Sequence, residues 1–135
     1  MSAGALVGIV LVSHSAGVAE QVVELARGLA AGGAVAPIAP AGGTADGTLG
    51  TSAELITAAA SAVDRGAGVA FLADLGSSVL TVKALLGDEE LPPGSRLLDA
   101  PFLEGAVAAL VAASAGAPLE AVAAAAEEAY DYRKG

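Results

Sequence analysis

The chain contains no cysteine and no tryptophan among its 135 residues, and only one histidine, His14. Without thiols the protein can form no disulfide framework, no thiolate nucleophile and no cysteine-ligated metal centre. A single histidine also argues against a zinc site, because such sites combine several nitrogen or sulfur ligands. We therefore expect neither a resident metal nor a cofactor.

Basic residues are scarce too: six Lys and Arg stand against fifteen Asp and Glu, which gives a formal net charge of −9. This charge opposes binding to nucleic acid and favours basic protein partners. The hydrophobic share is 55%, but its longest low-polarity stretches, such as 105–117, are shorter than the roughly 20 residues that span a bilayer. No cation precedes the first apolar run, unlike in a secretory signal. We expect a cytoplasmic protein without membrane association.

Apolar runs alternate with helical patterns along the whole chain. Strands are predicted over residues 6–12, 35–38, 68–73 and 96–98. A helix is predicted after each of the first three strands, and two alanine-rich helices, 103–114 and 119–130, close the chain. This alternation implies parallel strands joined by right-handed crossovers. The sequence thus predicts a single α/β domain over residues 1–135, with a central four-stranded, mainly parallel, doubly wound sheet flanked by helices.

Three local patterns refine this prediction. Apolar residues that recur at intervals of four, three and four predict that one stripe of the first helix faces the sheet; they are Val18, Val22, Leu25 and Leu29. Pro37 inside the second predicted strand indicates an edge position, because proline cannot donate a ladder hydrogen bond. The third strand does not alternate in polarity, which predicts burial on both faces.

His14 directly follows the first predicted strand. In open parallel sheets, ligands and reacting groups gather beyond the carboxyl ends of the strands, so a nucleophilic imidazole there is a functional candidate. Asp74 and Asp99 follow the third and fourth strands, and a loop rich in glycine and threonine, 42–52, follows the second. We expect all of these features on one side of the sheet.

These residue types suit a phosphoryl acceptor. Such a site needs a nucleophilic nitrogen, a carboxylate that keeps the other ring nitrogen protonated, and donors for the phosphoryl oxygens. His14 would attack through Nε2 if a carboxylate, most directly Asp74, accepted a hydrogen bond from Nδ1. The donors are predicted at the amino end of the third helix and in the glycine-rich loop, from Ser77, Ser78, Gly43 and Thr44.

The same residues have plainer interpretations. A lone histidine near a strand end can be a solvated loop residue, Asp74 can cap the helix that follows it, and Asp99 before Pro101 is typical of a turn. The loop lacks the Gly-Lys-Ser/Thr ending of a nucleotide P-loop and the full dinucleotide fingerprint. By itself it is therefore a weak signal for phosphate binding, and its plainer interpretation is a mobile loop. From the residues alone, the choice between Asp74 and Asp99 as partner of His14 stays open.

Four motifs together resemble a known family: the Val-Ser-His-Ser of 12–15, the loop 42–52, the Asp-Leu-Gly-Ser of 74–77 and the Asp-Ala-Pro-Phe-Leu-Glu-Gly of 99–105. They resemble the phosphotransfer subunits of phosphoenolpyruvate-dependent dihydroxyacetone kinases, which are similar in fold to the IIA domains of mannose-class sugar phosphotransferase systems. The resemblance implies that His14 accepts phosphate from the phosphorylated carrier protein HPr. It also implies that the phosphate passes to ADP on a nucleotide-binding subunit, and from the resulting ATP to dihydroxyacetone on a third subunit.

The resemblance further implies a homodimer, for which we expect contacts through helix faces. One departure favours the kinase branch over a sugar transporter: mannose-class IIA domains usually read Gly-Gly-Ser-Pro where this chain has the Gly-Ser-Ser-Val of 76–79. The alternatives are a mannose-class IIA component and, in another class, a regulatory module that binds a metabolite through the loop. A serine hydrolase is disfavoured, because no Gly-x-Ser-x-Gly elbow occurs. We expect an apolar docking rim around His14, made by Leu75, Val79, Phe102 and Leu103.

Overall fold

The computed structural model describes residues 4–135, in which strands and helices alternate in the predicted order. The strands are β1 (Gly8–Ser13), β2 (Ile38–Gly42), β3 (Val69–Ala73) and β4 (Ser95–Leu97). The helices are α1 (Ala16–Leu29), α2 (Ala53–Val63), α3 (Gly76–Gly87), α4 (Phe102–Ser114) and α5 (Leu119–Glu127), followed by a 3₁₀ turn, Glu128–Asp131. Most predicted boundaries therefore lie within a few residues of the observed ones.

All four strands are parallel and are arranged in the order β2-β1-β3-β4. The predicted doubly wound α/β architecture is confirmed, and so is the edge position of β2. The predicted span of β2 was wrong, however, since Pro37 precedes the strand and Pro40 lies within it. Pro37 and Gly43 both hydrogen bond to β1. Because backbone groups alternate in direction along a strand, Pro40 points its nitrogen away from β1, where a missing N–H costs no ladder bond.

The two central strands are covered on both faces. One face of the sheet packs against α1, α4 and α5, and the other packs against α2 and α3. Along β1, Ile9 and Leu11 belong to the first core, whereas Val10 and Val12 belong to the second. Along β3 the same alternation places Leu72 in the first core and Phe71 in the second, which confirms the burial predicted for this strand.

Helix α1 turns a different face to the sheet than its apolar stripe predicted. Its buried residues are Ala19, Val23 and Ala26. Three members of the predicted stripe are instead between 46% and 61% exposed: Val18, Leu25 and Leu29. The physical reason is the short distance between α1 and the sheet, because alanine side chains let the helix lie closer to the sheet than leucine side chains would. The larger apolar side chains remain on the outer surface of the protein.

Gly42 shows how close this approach is. A Cβ atom at Gly42 would lie 2.4 Å from the Ser15 carbonyl oxygen and 2.8 Å from the Ala16 Cα. Any larger residue would therefore push the end of β2 away from the start of α1. The absence of a side chain here keeps the loop after β2 next to His14, which immediately precedes Ser15.

Within residues 4–135, none of the helices combines the length and apolar character required to cross a bilayer.

A matched pair of glycine substitutions tests this close approach. We expect Gly42→Ala to lower the free energy of unfolding by about 1–3 kcal/mol, the usual cost of overpacking. Gly28→Ala in α1 is the control, because nothing lies within 4 Å of its added Cβ. That change should raise the free energy of unfolding by up to about 1 kcal/mol through helix propensity. Urea unfolding measures both, and equal effects of the two substitutions would contradict the packing argument.

Candidate active site

The candidate site lies between the carboxyl ends of β1 and β3. The connections that leave these adjacent strands run to opposite faces of the sheet, since α1 covers one face and α3 the other. Such a switch point opens a crevice in which α/β proteins bind ligands. The parallel register pairs Val12 with Ala73, so the residues that follow them, Ser13, His14 and Asp74, meet in this crevice.

Asp74 is the hydrogen-bonding centre of the site. Its Oδ1 lies 3.0 Å from His14 Nδ1 and accepts from the Leu75 N–H at 2.7 Å. Its Oδ2 accepts from the Ser13 hydroxyl at 2.8 Å and from the His14 backbone N–H at 3.1 Å. The structure thus brings Asp74, and not Asp99, to the imidazole. Asp99 lines the groove beside Asp74 instead, and its backbone N–H donates to the Glu127 carboxylate.

These contacts keep the carboxylate ionised. Burial by itself would raise the pKa of Asp74, but the hydrogen bonds from the His14 backbone, the Ser13 hydroxyl, the His14 ring and the Leu75 backbone outweigh it and hold that pKa below its ordinary value. An ionised carboxylate beside Nδ1 favours the tautomer that carries its proton there. The lone pair is then on Nε2, the nitrogen that a phosphoryl group would need.

Nε2 points toward the amino end of α3. It contacts the Ser77 hydroxyl, and the His14 side chain is 26% exposed, so the ring is held but still reachable. The first N–H groups of a helix have no intrahelical acceptor, and within residues 4–135 no side chain caps α3. The Ser78 N–H donates to the Leu75 carbonyl at 3.0 Å, which leaves the Gly76 and Ser77 N–H groups, together with the positive helix terminus, to favour an anion beside Nε2. The predicted position of Ser77 and Ser78 in the first turn of α3 is confirmed.

Ser78 occupies a different place from Ser77. It is completely buried, and its Oγ lies 3.2 Å from His14 Nδ1 and 3.1 Å from Thr51 Oγ1. Thr51 was missed in the sequence analysis, which singled out Gly43 and Thr44 of the same loop. No sequence signal separates Thr51 from the loop's other threonines, because the path of the loop decides which hydroxyl reaches the site.

Gly43 and Thr44 use their polar groups within the protein. The Gly43 N–H donates to the Ser13 carbonyl at 3.0 Å, and the Thr44 N–H donates to the Thr48 carbonyl at 2.9 Å. The Thr44 hydroxyl bonds to Asp46 and Thr48. Hydrogen bonds from the side chains of Thr44 and Thr48 also lower the pKa of Asp46. The role of Gly43 and Thr44 as phosphate donors therefore stays a prediction, and one that the loop geometry does not favour.

A groove of about 470 Å³ opens beside Asp74, on the side of β4. Its walls come from α3, from the β4–α4 connection and from the 3₁₀ turn, and include Val79, Lys83, Asp99, Phe102 and Tyr130. Leu75 and Leu103 of the predicted docking rim are exposed, whereas Val79 and Phe102 are half-buried in this groove. Among the described residues, no three acidic or histidine side chains are grouped to hold a metal ion.

A family comparison matches most of the chain. The model of the EIIA-man family, described as the PTS system fructose IIA component, matches residues 8–123. The match includes β1 to β4 and therefore both His14 and Asp74.

Three curated proteins show a similar relationship. The phosphoryl donor subunit DhaM of PEP-dependent dihydroxyacetone kinase 2 from Listeria innocua is 33% identical over 123 residues, which cover 87% of this chain and 94% of that protein. The DhaM subunits of Pantoea ananatis and Escherichia coli are each 35% identical over 87% of this chain. The chain spans only 25% of the length of each of these two proteins.

A solved structure has the same fold. The crystal structure of EF1359, a protein of unknown function, superposes with a TM-score of 0.76 at 31% sequence identity. The superposition covers 92% of this chain and 95% of that one.

The lowered pKa of Asp74 gives the protein's stability a defined pH dependence. The ionised carboxylate stabilises the folded state above the unfolded pKa of about 3.9, and this contribution is lost as the pH falls through the lower folded pKa. We therefore expect Asp74→Asn to reduce the free energy of unfolding near neutral pH, and the difference from wild type to shrink below about pH 4. Denaturant unfolding at a series of pH values measures the difference.

The matched control for this series is Glu24→Gln, the same neutralisation on the exposed side of α1. It should change stability little at any pH. A difference between wild type and Asp74→Asn that stays constant from neutral to acidic pH would show that the carboxylate charge is not what stabilises the site.

Proposed function

Because the chain belongs to the EIIA-man family of phosphotransferase-system IIA components, we propose that it is the phosphoryl donor subunit of a phosphoenolpyruvate-dependent dihydroxyacetone kinase. The similarity to the Listeria subunit over nearly the full length of both chains supports the choice of kinase. The observation that carries the proposal is the setting of the single histidine: an ionised Asp74 at Nδ1 and the donor-rich start of α3 at Nε2.

The first chemical step is transfer from a phosphohistidine of the carrier protein HPr. The Nε2 lone pair of His14 attacks phosphorus, the phosphorus–nitrogen bond of the donor breaks, and the donor imidazole leaves with the electron pair. The phosphorylated ring then carries positive charge, because Nδ1 keeps its proton. Asp74, 3.0 Å from Nδ1, stabilises that charge without moving.

The second step delivers the group to ADP. A terminal phosphate oxygen of ADP attacks phosphorus, the bond to Nε2 breaks, and ATP forms while His14 returns to its starting state. We place the nucleotide on a separate nucleotide-binding subunit, because this chain has no nucleotide-binding fingerprint. The ATP then phosphorylates dihydroxyacetone on the kinase's third subunit. In this scheme the chain acts in the cytoplasm and is itself only the carrier.

A second candidate is a IIA component of a sugar phosphotransferase system, which the family's description as a fructose IIA component favours. Its chemistry at His14 is the same, and only the acceptor differs. The Gly-Ser-Ser-Val of 76–79, in place of Gly-Gly-Ser-Pro, supports the kinase.

Docking of both partners is proposed at the groove beside Asp74 and its apolar rim. Phe102 lines the groove, and Leu75 and Leu103, which follow the groove residues Asp74 and Phe102 in the sequence, are exposed. The net charge of −9 would speed the encounter of a basic carrier protein with this chain, an effect that weakens as salt screens it.

The homodimer that the resemblance implies also stays a proposal. The exposed stripe of α1, formed by Val18, Leu25 and Leu29, is a helix face that suits it. The spacing of these three residues is that of a helix–helix seam. Gln21 and Gly28, which flank the stripe on the side away from the sheet, carry no charge. Two copies of a strongly acidic chain repel each other least across such a neutral face.

Phosphorylation of His14 is the direct test. Incubated with phosphoenolpyruvate, enzyme I and HPr, the wild-type protein should gain one phosphoryl group by intact mass, and His14→Ala should gain none. Asp74→Asn should be phosphorylated about 10- to 150-fold more slowly, since a hydrogen bond to a charged group is worth about 1.5–3 kcal/mol. Circular dichroism checks that the variants are folded. A wild-type protein that gains no phosphate would instead favour a metabolite-binding regulatory module.

The acceptor distinguishes the kinase from the transporter. The phosphorylated protein should lose its phosphoryl group quickly to ADP on the kinase's nucleotide-binding subunit and much more slowly to free ADP. A mannose-class IIB protein, added in place of the kinase subunit, is the matched control acceptor. Fast transfer to the IIB protein with none to the kinase subunit would overturn the kinase assignment.

A further inference from the structure

We propose that Thr51 is a positioning residue for phosphoryl transfer, which acts through Ser78 to hold His14 in its reactive tautomer; the proposal rests on the function given above. Ser78 is completely buried between two polar neighbours. Its Oγ lies 3.2 Å from His14 Nδ1 and 3.1 Å from Thr51 Oγ1. A buried hydroxyl needs partners for both its proton and its lone pairs, so the three groups form one chain of hydrogen bonds.

The direction of this chain follows from Asp74. The ionised carboxylate, 3.0 Å from Nδ1, favours the ring proton on that nitrogen. Ser78 can then face Nδ1 only through its oxygen, as a second acceptor of the same proton. The proton of Ser78 must go to another acceptor, and among the residues that the structure describes Thr51 Oγ1 is the one within reach.

Without the Thr51 hydroxyl, the remaining strong acceptor for the Ser78 proton would be the His14 Nδ1 in its deprotonated form. That contact requires the ring proton on Nε2, where the nitrogen has no lone pair with which to attack phosphorus. Thr51 and Asp74 thus favour the same tautomer from two sides. Phosphorylation of Nε2 keeps the proton on Nδ1, so the chain of hydrogen bonds needs no rearrangement during transfer.

The loop that carries Thr51 is fixed relative to the histidine. Thr51 forms a parallel bridge with Gly43, whose N–H donates to the Ser13 carbonyl at 3.0 Å. The Gly50 N–H donates to the His14 carbonyl, also at 3.0 Å. These bonds connect the glycine-rich loop to the residues on which the site depends, and they place the Thr51 hydroxyl at a defined distance from Ser78.

The test replaces Thr51 by valine, which keeps the shape and removes the hydroxyl, and by serine, which keeps the hydroxyl. Phosphorylation by phospho-HPr should slow about 3- to 10-fold in Thr51→Val, the effect of one net hydrogen bond, and should recover in Thr51→Ser. Thr57→Val is the matched control, because Thr57 lies in α2 and its hydroxyl donates to the Glu54 carbonyl of its own helix. That control should react at the wild-type rate.

A second readout separates positioning from general damage to the loop. His14 is the only histidine, so its ring nitrogens can be followed by nitrogen NMR without ambiguity. The population with the proton on Nε2 should rise in Thr51→Val and return to the wild-type value in Thr51→Ser. Should the valine variant fold poorly, Thr51→Ala supplies the same readout.

Slow transfer with an unchanged tautomer population would overturn the proposal, as would wild-type values of both quantities in Thr51→Val. The NMR measurement needs no phosphoryl donor. A tautomer shift in a protein that HPr does not phosphorylate would therefore support the positioning role of Thr51 while contradicting the proposed function.

Discussion

The site depends on one carboxylate. Asp74 accepts hydrogen bonds from the His14 ring, the His14 backbone, the Ser13 hydroxyl and the Leu75 backbone, and so joins the ends of β1 and β3 in a single network. Burying part of a charged group costs free energy that only such donors offset. The same contacts that keep Asp74 ionised also fix the ring orientation and the tautomer of His14, so structure and reactivity share one cause.

The parallel sheet makes this network possible. β1 and β3 are buried on both faces, and their register brings residue 13 and residue 74 to the same level. Close packing of α1 through alanine and the lack of a side chain at Gly42 then place the loop after β2 against His14. The imidazole is thereby surrounded by hydroxyl groups and the start of a helix, in a protein whose net charge is strongly negative. A phosphoryl group would meet helix-terminal donors locally, although the chain as a whole repels anions.

The family relationship and the geometry support each other at different levels. The EIIA-man match assigns the chain to phosphotransferase-system IIA components, and the geometry indicates how its histidine could carry a phosphoryl group. Ser77 faces the nitrogen that would react, whereas Ser78 faces the one that would not. Two adjacent serines thus have separate roles, because successive residues of a helix point about 100° apart.

The sequence by itself determined the parallel α/β fold, the edge position of β2 and the placement of His14 and Asp74 at strand ends, because these follow from patterns along the chain. It did not determine which face of α1 is buried, since the hydrophobic stripe is stronger than the alanine face and only the distance between helix and sheet selects the latter. It also left Asp74 and Asp99 as alternatives, which the strand register decided. The contact between Thr51 and Ser78 was decided by the tertiary structure alone, because the folded path of a loop, and not the spacing of its residues, sets which hydroxyl reaches Ser78.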